Sequence, residues 1–196
     1  GVIVLKGANL GREQVKFVHR AAALLLLYVQ KSKAQKRTNL LESDLIESML
    51  TMQETCVPAL RSHAEQTATL ARHFAQDIGF TEYEAEKIYK AALCHNLGKI
   101  RIAKQSLLPP DQLNVCGRNK CQKYSKHSAD MIKTIPSLAY LAPILAQLEE
   151  NVDGSGFPDG LGENEIDAGA RIIRIVSDFV DLVVGDNAGL TVSEAL

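Results

Sequence analysis

Apolar residues recur at three- and four-residue spacing along most of the chain, and no stretch shows convincing period-two alternation. That pattern predicts an all-α protein. A first helical pattern follows Gly11 and Arg12 and reaches about Lys33. Its centre, AAALLLLYV at 21–29, is apolar on most sides and so needs cover from other helices or from a partner. The charge-rich KSKAQKR at 31–37 reads as a solvated helix end and linker. Asn39 or Ser43 then caps a second helix running toward Pro58. Beyond Pro58, helices are expected near 59–78, 82–96, 118–134, 138–151, 165–183 and from 191 onward. Gly79 stops the first of these, and Thr81 with Glu84 forms a capping box for the next. Two irregular segments interrupt the series: 97–117, with Pro109 and Pro110, and VDGSGFPDGLGE at 152–163, whose glycines and proline predict a shaped loop.

Charge and length narrow the reading further. The 22 basic and 23 acidic side chains of this 196-residue chain leave a formal net charge of -1, so no bulk field draws it toward nucleic acid or an anionic membrane. The longest apolar run, Ala21 to Val29, is too short for a bilayer span, which needs about 20 residues, and it lacks a signal-peptide setting. A soluble, cytoplasmic protein is expected. Four scattered cysteines, Cys56, Cys94, Cys116 and Cys121, suit reduced thiols in a chain large enough to need no staples. The pattern divides the chain into a helical extension over 1–57 and a helical domain over 58–196. The closing SEAL reads as the start of a helix, so the domain looks cut short there.

Three of the five histidines fall on expected inward faces. His63 lies on a stripe with Leu60, Thr67, Leu70 or Ala71, Phe74 and Ile78. His95 shares a face with Ile88, Ala91 and Ala92 at a helix end, and His127 lines up with Tyr124, Met131 and Ile135. A single inward histidine is more often a core residue than a ligand, but three converging imidazoles would suit a transition metal. The segment His95-Asn96-Leu97-Gly98-Lys99 would set Lys99 beside a bound anion, or form an ordinary helix C-terminus. Arg174 and Asp178 form either an i,i+4 surface pair or the wall of a cleft. Glu149 and Glu150, just before the glycine-rich loop, are either solvated caps or metal-facing carboxylates.

The segments HNLGKIRIAKQSLL, KHSADMI, EENVDGSGFPDGL and IDAGARIIRIVSDFVDLVV together resemble the HD-GYP family, bacterial signalling phosphodiesterases that open cyclic di-GMP. The likeness covers about residues 58–196 and implies an HD-domain-like helical bundle with an N-terminal helical extension. It implies metal ligands at His63, His95, His127 and Asp178, with Glu149 as a substitute ligand, and it makes Lys99 the catalytic residue acting at the phosphate. Arg174 and Phe157 would touch substrate, and Asp153, Gly154, Gly156, Phe157 and Pro158 would shape the loop. Departures accompany the match. Asn96 stands where the family has the aspartate of the HD pair, Leu148 and Glu149 stand where it has two histidines, and Phe157 stands for its tyrosine. No basic residue follows Asp178 in GDNAGLTVSEAL.

A carboxylate at the bridging position brings two acceptor atoms and a charge, whereas Asn96 offers one neutral carbonyl oxygen. The expectation is therefore a degenerate signal-transduction domain acting as a regulatory, protein-binding or ligand-sensing module, with at most one divalent metal (iron, manganese or zinc). Its partners would be other signalling proteins or a second copy joined through residues 12–33. The alternative is a metal-dependent cyclic di-GMP phosphodiesterase with a reduced ligand set.

Overall fold

The computed structural model describes residues 11–56, 59–101 and 124–184. Cys116, Cys121 and the helix expected from 191 onward lie outside them. Every regular element among the described residues is helical, as the periodicity predicts.

Helix α1 spans Arg12–Cys56 without a break. The linker expected at 31–37 is instead helix interior, because Lys, Arg, Gln and Ala are strong helix formers and no glycine or proline interrupts them. Nor are Asn39 and Ser43 caps. Asn39 accepts from Gln35 one turn earlier, and the Ser43 hydroxyl donates back to the Asn39 carbonyl. The chain forms two compact units that divide between Asp44 and Leu45, earlier than the 57/58 division read from the sequence. In the first unit, Leu24 to Val29 and Phe17 are exposed on α1. In the second, Ile46, Leu50 and Gln53 of the same helix are buried, one face repeating at helical spacing.

Helices α2 (Ala59–Asp77) and α3 (Glu82–Cys94) form the centre of the second unit. The face that α2 buries is a stripe of small residues, Ala64, Thr67, Ala68, Ala71 and Ala75, while Leu70, Phe74 and Ile78 of the expected stripe are exposed. Small side chains let the backbones of α2 and α3 approach closely, with Ala85, Ile88, Ala91 and Ala92 buried on α3. Gly79 makes the turn between them at φ 97°, and the Thr81–Glu84 capping box opens α3 as expected.

A 3-10 turn over Leu97–Arg101 follows α3. It packs against α4 (Tyr124–Lys133) so closely that a Cβ on Gly98 would stand 2.0 Å from the Tyr124 carbonyl oxygen. The helix expected over 138–151 is broken into a 3-10 turn, Ala139–Leu141, and a short α5, Ala142–Ala146, with Pro143 in its first turn. Helix α6 (Ala168–Val184) closes the described chain and buries Ala170, Ile172, Ile173, Val176 and Val180.

Candidate functional site

One histidine comes from α2 and one from the end of α3, and they meet beside α6. The Nε2 atoms of His63 and His95 are 3.2 Å apart, with the rings tilted by 46°. His95 is buried, and its Nδ1 lies 2.6 Å from the Ala92 carbonyl oxygen, which can only accept, so the proton sits on Nδ1. His63 Nδ1 faces Asp181 Oδ1 at 3.1 Å and donates to it in the same way. His95, with its proton on Nδ1, thus turns its Nε2 lone pair toward the Nε2 of His63. Two hydroxyls stand in reach: Ser177 Oγ is 3.2 Å from His63 Nε2 and 3.5 Å from His95 Nε2, and Thr67 Oγ1 is 3.4 Å from His63 Nε2.

Charge is finely divided here. Burial, reinforced by the nearby His63 and Lys99, pushes His95 down to about 3, so the folded protein holds it neutral near pH 7. Burial works against the Asp181 carboxylate, but the hydrogen bond and charge of His63, with Lys99, keep its pKa below the ordinary aspartate value.

Beside the imidazole pair lies a cleft of about 190 Å³ walled by His95, Lys99, Tyr124, Glu149, Arg174 and Asp178, among others. That volume is below the roughly 300–1,000 Å³ usual for drug-sized ligands. Lys99 Nζ stands 4.9 Å from the centroid of the Tyr124 ring. Burial and then Glu149, to which its hydroxyl is hydrogen-bonded, push the Tyr124 pKa well up. Arg174 donates from Nη1 to Glu149 Oε2 at 3.0 Å and to the Leu148 carbonyl at 3.2 Å, and from Nε to Asp178 Oδ2 at 2.9 Å.

The glycine-rich loop hangs on a carboxylate. Glu150, only 6% exposed, accepts from the amides of Asp159 at 2.7 Å and Leu161 at 2.9 Å. Asp153 accepts from the Ser155 amide and hydroxyl, and the Phe157 amide donates to the Glu149 carbonyl. Gly156 admits no side chain, since a Cβ there would stand 2.2 Å from the Asn151 nitrogen. The Phe157–Pro158 peptide is cis.

A divalent metal is the group the resemblance implies for this place, and the donors present do not fit a two-metal centre. Among the described residues no three His, Cys, Asp or Glu side chains stand together where they could hold an ion. Catalytic metal sites use three or more such ligands and an open position, doubled in a two-metal centre. Asn96 is fully buried, and neither polar atom of its carboxamide has a hydrogen-bond partner.

A family model described as HD domain matches residues 44–196. The chain belongs to the HD domain family. Its loop and helix segments within that family resemble those of HD-GYP proteins. It is 30% identical over 179 residues to a cyclic di-GMP phosphodiesterase response regulator of Xanthomonas campestris, covering 82% of this chain and 47% of that protein. It is 28% identical over 117 residues to a 3'3'-cGAMP-specific phosphodiesterase of Vibrio cholerae, covering 60% of this chain and 27% of that one. A cyclic di-GMP phosphodiesterase of Thermotoga maritima is 29% identical over 126 residues, 62% of this chain and 33% of its own length. The chain thus spans less than half the length of these relatives. A solved HDG"Y"P protein of Bdellovibrio bacteriovorus matches in fold with a TM-score of 0.59 at 23% identity, over 69% of this chain and 44% of that chain.

Of the residues singled out in its sequence, this HD-domain chain brings His95, Lys99, Glu149, Arg174 and Asp178 to one cleft, with His63 against His95. His127 sits on α4, where a Cβ on Gly98 would approach its Cβ to 2.8 Å, and it does not line the cleft. Nor do the loop residues Asp153, Gly154, Gly156, Phe157 and Pro158. Asp178 turns to Arg174, and the α6 side chains that meet the imidazoles are Ser177 and Asp181. On a helix, one residue of register is about 100° of rotation, which the apolar pattern of α6 does not resolve. Tyr124 as a cleft wall and Glu150 as the loop's anchor were likewise beyond what periodicity shows.

Proposed function

We propose that this HD-GYP chain is a signalling domain acting as a regulatory module, one that senses an anionic ligand or binds signalling proteins rather than turning over a cyclic dinucleotide. The observation that supports this most is the pairing of Glu149 and Asp178 with Arg174, which commits both carboxylates to a guanidinium. The small cleft adds support: Lys99 and Arg174 line it and suit an anion. The apolar, exposed stretch Leu24 to Val29 of α1 suits a protein partner or a second copy of the chain in the cytoplasm. No helix among the described residues is long and apolar enough to cross a membrane.

The names of the relatives favour a second reading, a metal-dependent phosphodiesterase acting on cyclic di-GMP or 3'3'-cGAMP. In that reading Lys99 and Arg174 hold phosphoryl charge, and Phe157 contacts substrate. Elemental analysis of protein purified without chelator, beside a His95→Ala control, separates the two when joined to a hydrolysis assay with added manganese or iron. The regulatory reading expects no metal above the control and no linear dinucleotide. Stoichiometric metal that the control lacks, together with turnover, would replace it by the phosphodiesterase.

A further inference from the structure

Glu149 and Asp178 reach the cleft from different parts of the chain, one from the segment after α5 and one from α6. Glu149 is well enclosed, its side chain 14% exposed, while Asp178 stands at the rim at 59%. A carboxylate taken that far from water needs a cation or strong donors beside it. The Arg174 guanidinium serves both carboxylates at once and also bonds the Leu148 carbonyl, so three oxygens converge on one cation. The Tyr124 hydroxyl completes the set around Glu149.

We infer that Arg174 is a built-in cation standing in the place of a divalent ion, holding Glu149 and Asp178 so that the cleft is ordered and nearly charge-balanced without metal. The inference rests on the regulatory reading above and goes beyond it by naming the group that replaces the metal. Glu149, Asp178 and Asp181 bring three carboxylates to the cleft against the Arg174 guanidinium and the Lys99 ammonium, so these five charges sum to -1. A guanidinium keeps its proton there. Burial opposes the charge, but Glu149 and Asp178 outweigh it and raise the Arg174 pKa above its ordinary value. Because the Phe157 amide bonds the Glu149 carbonyl, the same pairing also ties α6 to the glycine-rich loop. Arg174 is thus a positioning residue, and it competes with any metal for the same oxygens.

The test is Mn²⁺ binding, by equilibrium dialysis and by thermal unfolding, on the full chain and on Arg174→Gln, Arg174→Lys and the double variant Arg174→Gln, Glu149→Gln. The wild-type Tm is expected to ignore both Mn²⁺ and chelator. Arg174→Gln should melt lower, recover part of that loss with Mn²⁺, and bind Mn²⁺ at least about tenfold more tightly than wild type, a change of roughly 1.4 kcal/mol. The double variant should lose that gain. Arg174→Lys keeps a charge but cannot fork to both carboxylates, so its Mn²⁺ affinity should fall between the two and carries the test if Arg174→Gln does not fold. If neither Arg174 variant binds Mn²⁺ better than wild type, the inference is overturned while the regulatory reading stands. Tight Mn²⁺ binding by the wild type, with dinucleotide hydrolysis, overturns the regulatory reading and the inference with it.

Discussion

Gln53 Nε2 donates to the main-chain carbonyl of Asn96 at 3.1 Å, joining the last turns of α1 to the residue that follows His95. Both residues are completely buried, and Gln53 Oε1, like both polar atoms of the Asn96 side chain, has no partner.

Removing Gln53 therefore takes one of two donors from the Asn96 carbonyl, which keeps the Lys99 amide at 3.0 Å, and leaves a void. Gln53→Ala is expected to cost about 2–3 kcal/mol, against less than about 0.5 kcal/mol for its exposed neighbour in Met52→Ala. Urea unfolding measures both. Equal effects would mean that this end of α1 is not part of the folded domain.

Two glycines separate steric from backbone demands. Gly98→Ala drives a Cβ into the Tyr124 carbonyl at 2.0 Å and toward the Ser128 nitrogen at 2.7 Å, neither of which is a flexible side-chain end. It should lose about 3 kcal/mol or more, or fail to fold. Gly79→Ala meets nothing within 4 Å but sits at φ 97°, so only the backbone resists and the loss should be about 1 kcal/mol. Thermal or urea melts of the two variants give the ordering, and the reverse ordering would contradict the close packing of α4 on the 3-10 turn.

The thiols differ in reach. Cys94 is fully buried and its pKa is pushed up to about 12 by that burial, whereas Cys56 is exposed. Only the thiolate attacks alkylating reagents. Iodoacetamide should therefore modify Cys56 in the native protein and reach Cys94 only after denaturant is added, as read peptide by peptide in a mass spectrum.

His95 makes the fold acid-sensitive. In the unfolded chain its imidazole titrates near 6.5, and in the folded protein burial lowers that to about 3. Between those values the unfolded chain binds a proton that the folded one refuses, so stability falls as pH drops from 6.5 toward 3, and above that window this group has no effect. The Tm should drop between about pH 7.5 and about pH 5.5, and the drop should be smaller in His95→Gln, which has no imidazole to protonate. An identical pH response in the two proteins would mean that His95 is not held neutral.

The sequence by itself determined the helical class, the capping box at Thr81 and Glu84, the shaped loop over 152–163 and the family resemblance. Those features are written in local spacing and in residue types with few alternative uses. It also marked His95, Lys99, Glu149, Arg174 and Asp178, which the fold gathers at one cleft. Tertiary structure decided the rest. Only packing shows that α2 buries its alanines rather than its larger apolar residues, because close helix approach outweighs the hydrophobicity of Leu70, Phe74 and Ile78. Only the rotation of α6 shows that Ser177 and Asp181 meet the imidazoles while Asp178 turns to Arg174. Local pattern records which residues share a helix face, but the groups that neutralise one another are set by how the helices cross, and that distance lies in no one segment of the chain.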